Sequence, residues 1–141
     1  MFRLRLERES VDVTLDVEED GEPMLILADE QAVTLAVINL LDNALKYAEG
    51  TKVISVALRN EGDVVRIIVS DNGPGIPQED LRRIFERFYR GKAAARSRAR
   101  GSGIGLSIVQ AVADGHGGRV WAESPPDGGA TFTIELPGLT T

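Results

Sequence analysis

Cysteine is absent from the chain, so disulfides, thiolate nucleophiles and thiolate metal sites are all unavailable, a pattern that fits a reducing compartment and a cytoplasmic location. Long apolar runs are absent too. No stretch approaches the roughly 18 residues a membrane span needs, and Met1 to Ser10 (MFRLRLERES) alternates charge with apolar residues where a signal peptide would have an apolar core. Any membrane attachment of this protein is expected outside the chain. A basic surplus is also missing: the formal charge of −6 argues against a nucleic-acid binder.

What is present is a 141-residue chain, 43% hydrophobic, enough for one compact domain with a single core. Its charge is unevenly placed. Eight of the 16 Lys and Arg residues fall between positions 82 and 100 (Arg82, Arg83, Arg87, Arg90, Lys92, Arg96, Arg98, Arg100), with Glu86 the only acid among them. Such a segment is either a solvated loop or an anion site.

A period of two marks strands at Val11 to Val17, Met24 to Ala28, Val53 to Arg59 and Val64 to Ser70. The short NEGD turn at 60–63 joins segments 51–59 and 64–71 as an antiparallel hairpin. Two more strands are expected at 118–124 and 130–136, linked by PPDGG at 125–129. Helices are expected from an N-cap at Asp29 to about Tyr47, at Gln78 to Phe88, and from about Ser102 to Gly115. This predicts an α+β two-layer sandwich whose mixed, mostly antiparallel sheet is covered on one face by about three helices. Residues 91–100 (GKAAARSRAR) lack large apolar side chains and read as a mobile loop.

Three segments carry chemistry. On the otherwise apolar long helix, Asn39, Asn43 and Lys46 share one face. Burying an unpartnered amide costs about 1–3 kcal/mol, so this stripe either faces solvent or meets a polar ligand. Asp71 to Ile76 (DNGPGI) follows a strand; its two glycines let the backbone turn and approach a ligand, and the Asp71 carboxylate suits an exocyclic amine and repels a carbonyl oxygen. Taken alone the segment is also an ordinary turn. Gly101 to Leu106 (GSGIGL) opens a helix, where unsatisfied N–H groups and the helix dipole favour phosphate. It matches neither the dinucleotide fingerprint nor a Walker loop.

In combination and order these segments resemble the histidine-kinase branch of the Bergerat-fold ATPases over residues 11–137, with 1–10 as a linker or N-terminal extension and 138–141 as a tail. The N box resembles Asn39 to Tyr47 (NLLDNALKY), the first glycine box Asp71 to Ile76, the F box Ile84 to Arg90 (IFERFYR), and the second glycine box Gly101 to Leu106. Gly129 to Phe132 (GATF) is similar to the last, threonine-containing box.

The resemblance implies residue roles. Asn39, Asn43, Lys46 and Arg90 take the catalytic positions, and Asn43 is the Mg²⁺ ligand, its amide oxygen a hard donor of the kind Mg²⁺ prefers. Lys46 lies beside phosphate and Tyr47 flanks the nucleotide. Asp71 reads adenine with Gly73, Gly75 and Ile76 around it. Arg90 and Lys92 neutralise the outer phosphates, while Gly101, Ser102, Gly103, Ile104, Gly105 and Leu106 form the lid that closes over them. Phe85 and Phe88 anchor that lid, and Thr131 completes the ATP-binding set.

Two absences refine this reading. Where hydrolytic relatives of the family carry Glu four residues before the Mg-binding Asn, this chain has Asn39, and an amide cannot accept a proton at neutral pH. The only histidine, His116 in DGHGG at 114–118, matches a helix-to-strand turn and is expected to be structural. The implied activity is therefore transfer of the γ-phosphoryl of Mg-ATP to a histidine on a separate dimerisation domain, with a response regulator engaged through the parent protein and the isolated domain monomeric. Two other readings stay open. One is an anti-sigma type serine kinase, against which stand Asn39 and the basic FERFYR lid. The other is a docking module with a degenerate ATP site, against which stand Asn43, Asp71 and GSGIGL.

Overall fold

The computed structural model describes residues 2–6, 11–17, 26–47, 52–86, 105–125 and 128–138. Six strands form one sheet: β1 (Phe2–Leu6), β2 (Val11–Val17), β3 (Lys52–Glu61), β4 (Val64–Asp71), β5 (Arg119–Glu123) and β6 (Ala130–Pro137), in the order β1-β2-β3-β4-β6-β5. Only β2 and β3 are parallel; the other four pairings are antiparallel. A parallel pair needs a crossover, supplied here by α1 (Glu30–Tyr47), which packs with α2 (Gly105–Gly115). The α+β sandwich with its mixed sheet matches the expectation from sequence, as does the antiparallel hairpin of β3 and β4, although β3 runs on to Glu61 and shortens the turn.

Helix α1 starts where a cap can form. The Asp29 carboxylate accepts the N–H groups of Gln31 (3.0 Å) and Ala32 (3.2 Å), while its carbonyl accepts Val33 N–H. The helix then buries Ala36, Leu40 and Ala44, one per turn on one face, against Val109 and Ala113 of α2 and the inner sheet residues Ile54, Val69, Phe132, Ile134 and Leu136. Phe85 meets Phe132 edge to face at 6.2 Å, joining the segment after β4 to this core.

Helix α2 ends in a Schellman motif. Gly118 N–H reaches Ala113 C=O (2.8 Å), Gly117 N–H reaches Asp114 C=O (3.1 Å), and Gly117 takes φ +70°. His116, one residue earlier, clamps two helix ends together: its Nε2 accepts Asp29 N–H (3.0 Å), which fixes Nδ1 as the protonated nitrogen donating to Val112 C=O (2.7 Å). This is the structural role expected of it. Replacing His116 with Ala removes both bonds and should lower unfolding free energy by about 1–3 kcal/mol, read as a reduced urea midpoint at unchanged slope. A midpoint equal to the wild type would show that solvent replaces the clamp without loss.

Among the described residues no helix packs on the other face of the sheet. Arg66 and Arg119 both pair with Glu135 (2.9 and 2.7 Å) and lie over the Trp121 ring at 5.6 and 4.7 Å. The hydrogen bond from Arg119, aided by Arg66, holds the Glu135 carboxyl below its ordinary value against the opposing effect of burial.

Three local expectations differ from the structure. Phe2–Leu6 forms the edge strand β1 against β2, although FRLRL reads as an extension; arginine at every second position is the composition of a protected edge. The strand expected at 24–28 is irregular over its described part, 26–28. Ile26 packs on the core and Leu27 is 85% exposed, because the chain here leads into the Asp29 cap and has no strand neighbour. The helix expected at 78–88 is a series of turns through its described part. Bonds from Asp80 to Pro77, Arg83 to Asp80 and Glu86 to Arg83 span three residues, and only Ile84 to Asp80 spans four. That mixed, mostly tighter winding buries Ile84 and packs Phe85 on the core without a continuous α-helix.

Candidate functional site

Asp71 is the last residue of β4, on the helix-facing side of the sheet as its alternation with Val69 requires. Its Oδ1 accepts Gly73 N–H at 2.8 Å, an Asx-type turn that aims the carboxylate. Burial pushes the Asp71 carboxyl upward from its ordinary value, and the N–H groups of Gly73 and Ala130 pull it back. The carboxylate is thus partly dehydrated and held by two backbone donors, with acceptor capacity left for a ligand donor.

The loop after Asp71 is held by the β5–β6 connection. Gly129 N–H donates to Gly73 C=O (2.8 Å), and Ile76 N–H donates to Ser124 Oγ (2.8 Å). Two glycines are required for these approaches. A Cβ on Gly75 (φ +88°) would lie 2.7 Å from Ser124 Oγ, and one on Gly129 (φ +82°) would lie 2.6 Å from Asp71 O. Ile76 packs on the core beside them.

The amide stripe of α1 borders this region on the side where α2 begins. Asn39 Nδ2 donates to Leu35 C=O (2.9 Å), and a Cβ on Gly105 would come within 3.0 Å of Asn39 Oδ1. Gly105, the first residue of α2, therefore lies against the Asn39 amide, on the helix face that Asn43 shares. Asn43 is half-buried, and among the described residues its side-chain amide has no hydrogen-bond partner. Leu106 turns to the core. The structure thus brings Asp71, Gly73, Gly75 and Ile76 together at one strand end, and Asn39 and Gly105 at one helix contact, with Asn43 one turn further along α1.

Thr131 is not brought to that site. The register sets Ala130 opposite Asp71 and turns Thr131 to the other sheet face, where its hydroxyl meets Ser70 Oγ at 3.1 Å. A one-residue step along a strand reverses the face, so a motif match alone does not settle which residue of ATF points inward. Phe88, Arg90, Lys92, Gly101, Ser102, Gly103 and Ile104 lie outside the described residues, as do the side chains of Lys46 and Tyr47 and the loop expected at 91–100. Sequence reasoning missed Ser124 and gave Gly129 no role beyond opening the GATF box. Their signal is a serine ending a strand just before a Pro and Gly rich connection.

Among the described residues no cluster of three His, Asp or Glu side chains could hold a metal by itself, and no helix is long and apolar enough to cross a membrane. A side-chain amide oxygen with no partner among the described residues, as at Asn43, fits a hard cation that takes most of its ligands from phosphate and water. A cavity of about 450 Å³ at the opposite end of the helices is lined by Leu27, Ala28, Asp29, Gly115, His116, Pro137 and Gly138; it shares no residue with the Asp71 loop.

Residues 28–140 match the family described as histidine kinase-, DNA gyrase B-, and HSP90-like ATPase. The sensor-like histidine kinase SenX3 of Mycobacterium tuberculosis is 40% identical over 126 residues, covering 89% of this chain and 31% of its own length; the chain thus spans under a third of that relative. Among solved structures, the mycobacterial sensor histidine kinase MprB superposes with a TM-score of 0.82 at 32% identity, covering 96% of this chain and 88% of that one. Full-length ShkA, solved in complex with AMPPNP, superposes with a TM-score of 0.77 at 29% identity, over 96% of this chain and 27% of its own. Gly-bounded loop, amide-bearing helix and mixed sheet together agree with these matches: the chain belongs to the histidine kinase-, DNA gyrase B- and HSP90-like ATPase family, as a domain of the sensor histidine kinase type.

Proposed function

We propose that this domain binds Mg-ATP and donates its γ-phosphoryl group to a histidine on a separate dimerisation domain of a two-component sensor kinase, whose parent protein engages a response regulator. The observation that carries the reading is Asp71: a partly dehydrated carboxylate, aimed by Gly73 N–H, at a strand end where glycines let a planar ligand approach the backbone. Such a group accepts from an exocyclic amine, which adenine offers, and repels the carbonyl oxygen that guanine places there.

In this reading Asn43 holds Mg²⁺ through its amide oxygen, and the N-terminus of α2 faces the phosphates. The metal supplies charge neutralisation between the phosphate oxygens when bound. Lys46, Arg90 and Lys92 add positive charge around the outer phosphates, and Tyr47 and Phe88 flank the nucleotide. The chain itself positions and neutralises; the acceptor imidazole brings its own lone pair. Asn39 cannot serve as a base, which favours transfer over hydrolysis.

Calorimetry should show ATP and ADP binding clearly better than GTP, and Asp71→Ala should remove most of that preference. Losing a hydrogen bond to a charged group costs about 1.5–3 kcal/mol, tenfold or more in affinity. Because burial raises the Asp71 pKa from 3.8, the carboxylate is lost as pH falls through a value above 3.8. The preference for ATP should therefore fade at a less acidic pH than an exposed aspartate would require. Equal affinity for ATP and GTP in the wild type would sink the adenine assignment.

A further inference from the structure

Ser124 follows β5 and its hydroxyl bonds in two directions. Its Oγ accepts Ile76 N–H at 2.8 Å and donates to Gly129 C=O at 2.7 Å. Ile76 ends the DNGPGI loop, and Gly129 immediately precedes β6. One oxygen therefore joins the two chain segments that flank Asp71. A hydroxyl is suited to this, since it has one donor and two acceptor sites on a single atom.

The connection runs on to the carboxylate. The peptide whose carbonyl Ser124 holds is followed closely by a second link, from Gly129 N–H to Gly73 C=O at 2.8 Å. Gly73 N–H in turn fixes Asp71 Oδ1 at 2.8 Å. Packing leaves little slack in this chain of bonds: Gly75 and Gly129 both sit at positive φ with Ser124 Oγ and Asp71 O where their Cβ atoms would be. A hydrogen bond weakens steeply as its angle departs from linear, so the direction of the carboxylate matters as much as its presence.

We infer that Ser124 is a positioning residue for base recognition: by tying the DNGPGI loop to the start of β6, its hydroxyl sets the direction of the Asp71 carboxylate and with it the selectivity for a base bearing an N–H donor over one bearing a carbonyl oxygen. The inference rests on the adenine reading of Asp71. It assigns Ser124 no contact with the nucleotide.

The test is a ratio of affinities. ATP and GTP are titrated against wild type, Ser124→Ala, Ser124→Cys and Ser124→Thr at temperatures well below each melting midpoint. Phosphate contacts are common to both nucleotides, so a loosened carboxylate weakens ATP and leaves GTP nearly unchanged. The ATP-to-GTP ratio is expected to fall about tenfold in Ser124→Ala, the equivalent of one well-made bond to a charged group. Ser124→Cys fills nearly the same space with a much weaker donor and acceptor, so it reads the same loss if the alanine variant does not fold. Ser124→Thr keeps the hydroxyl and the ratio. A purely structural serine would lower both affinities in proportion and leave the ratio at its wild-type value, which overturns the inference. A wild type that binds ATP and GTP alike overturns the adenine reading first and this inference with it.

Discussion

Asn43→Ala is expected to abolish the Mg²⁺ dependence of ATP binding while leaving the domain folded. The burial pattern of α1 separates the two effects. Ala36, Leu40 and Ala44 are the fully buried residues of the helix, whereas Asn43 lies half-buried beside them with no side-chain hydrogen bond to another described residue. Removing its amide therefore strands no buried partner, and alanine has the better helix propensity. The melting transition should stay cooperative and its midpoint should move little. The loss on the functional side is large by comparison. Deleting even an outer-sphere partner of a bound metal typically costs roughly 10–100-fold in metal affinity, and a direct ligand should cost at least that. The measurement is a pair of nucleotide titrations, with Mg²⁺ and with chelator, on wild type and variant. Converging curves in the variant, against separated curves in the wild type, are the expected result. Loss of cooperative melting in Asn43→Ala would instead place the amide stripe in the structural framework and remove the metal assignment.

Much of this fold could be read because its signals are local. Asp29 as an N-cap and the NEGD turn each specify backbone geometry through one or two residues, and the structure shows both in those roles. What the sequence could not give depends on contacts between distant segments. FRLRL becomes a strand only because β2 offers an edge. The alternation at 24–28 is irregular over its described part, 26–28, where the chain leads into Asp29, whose N–H is taken by His116, 87 residues away. The turns at 78–86 have helix-like apolar spacing, yet burial of Asp80, at 3% exposure, and of Ile84 is achieved by tighter winding.

The candidate site divides in the same way. Asp71, Gly73 and Gly75 stand out only in combination with the other segments, since DNGPGI alone is also an ordinary turn, and Asn39 and Asn43 because amides are conspicuous on an apolar helix. Ser124 and Gly129 do not, since a serine and a glycine near a Pro and Gly rich turn are ordinary until the register of β6 brings Gly129 to Gly73. Thr131 shows the converse. A motif match attracted it to the site, and strand alternation turned it to Ser70 instead.

The isolated domain should bind ATP yet neither label itself nor hydrolyse ATP at a useful rate, and adding the histidine-bearing helical hairpin of its parent kinase should restore transfer in trans. His116 cannot be the acceptor in the described geometry: Nε2 is occupied by Asp29 N–H, and Nδ1 carries the proton bonded to Val112 C=O, so neither nitrogen has a free lone pair. Asn39 occupies the place where a water-activating carboxylate would be needed, and its Nδ2 is committed to Leu35 C=O. Transfer then depends on an in-line nucleophile brought from outside. A covalent tether supplies that nucleophile at about millimolar effective concentration, so a hairpin added at roughly 10 μM should be phosphorylated on the order of a hundredfold more slowly than in the intact kinase. Arg90→Ala should slow this reaction more than it weakens ADP binding, because its charge is assigned to the terminal phosphate that ADP lacks. The measurement is incorporation of radiolabelled γ-phosphate with the chain alone, with the chain plus hairpin, and with the chain plus a hairpin whose histidine is replaced. Label should appear only in the second mixture, on the hairpin, and should be lost in acid. Acid-labile label on the chain alone that vanishes in His116→Ala would instead require the clamp between α1 and α2 to open and expose its imidazole, and would reverse the assignment of which domain accepts the phosphoryl group.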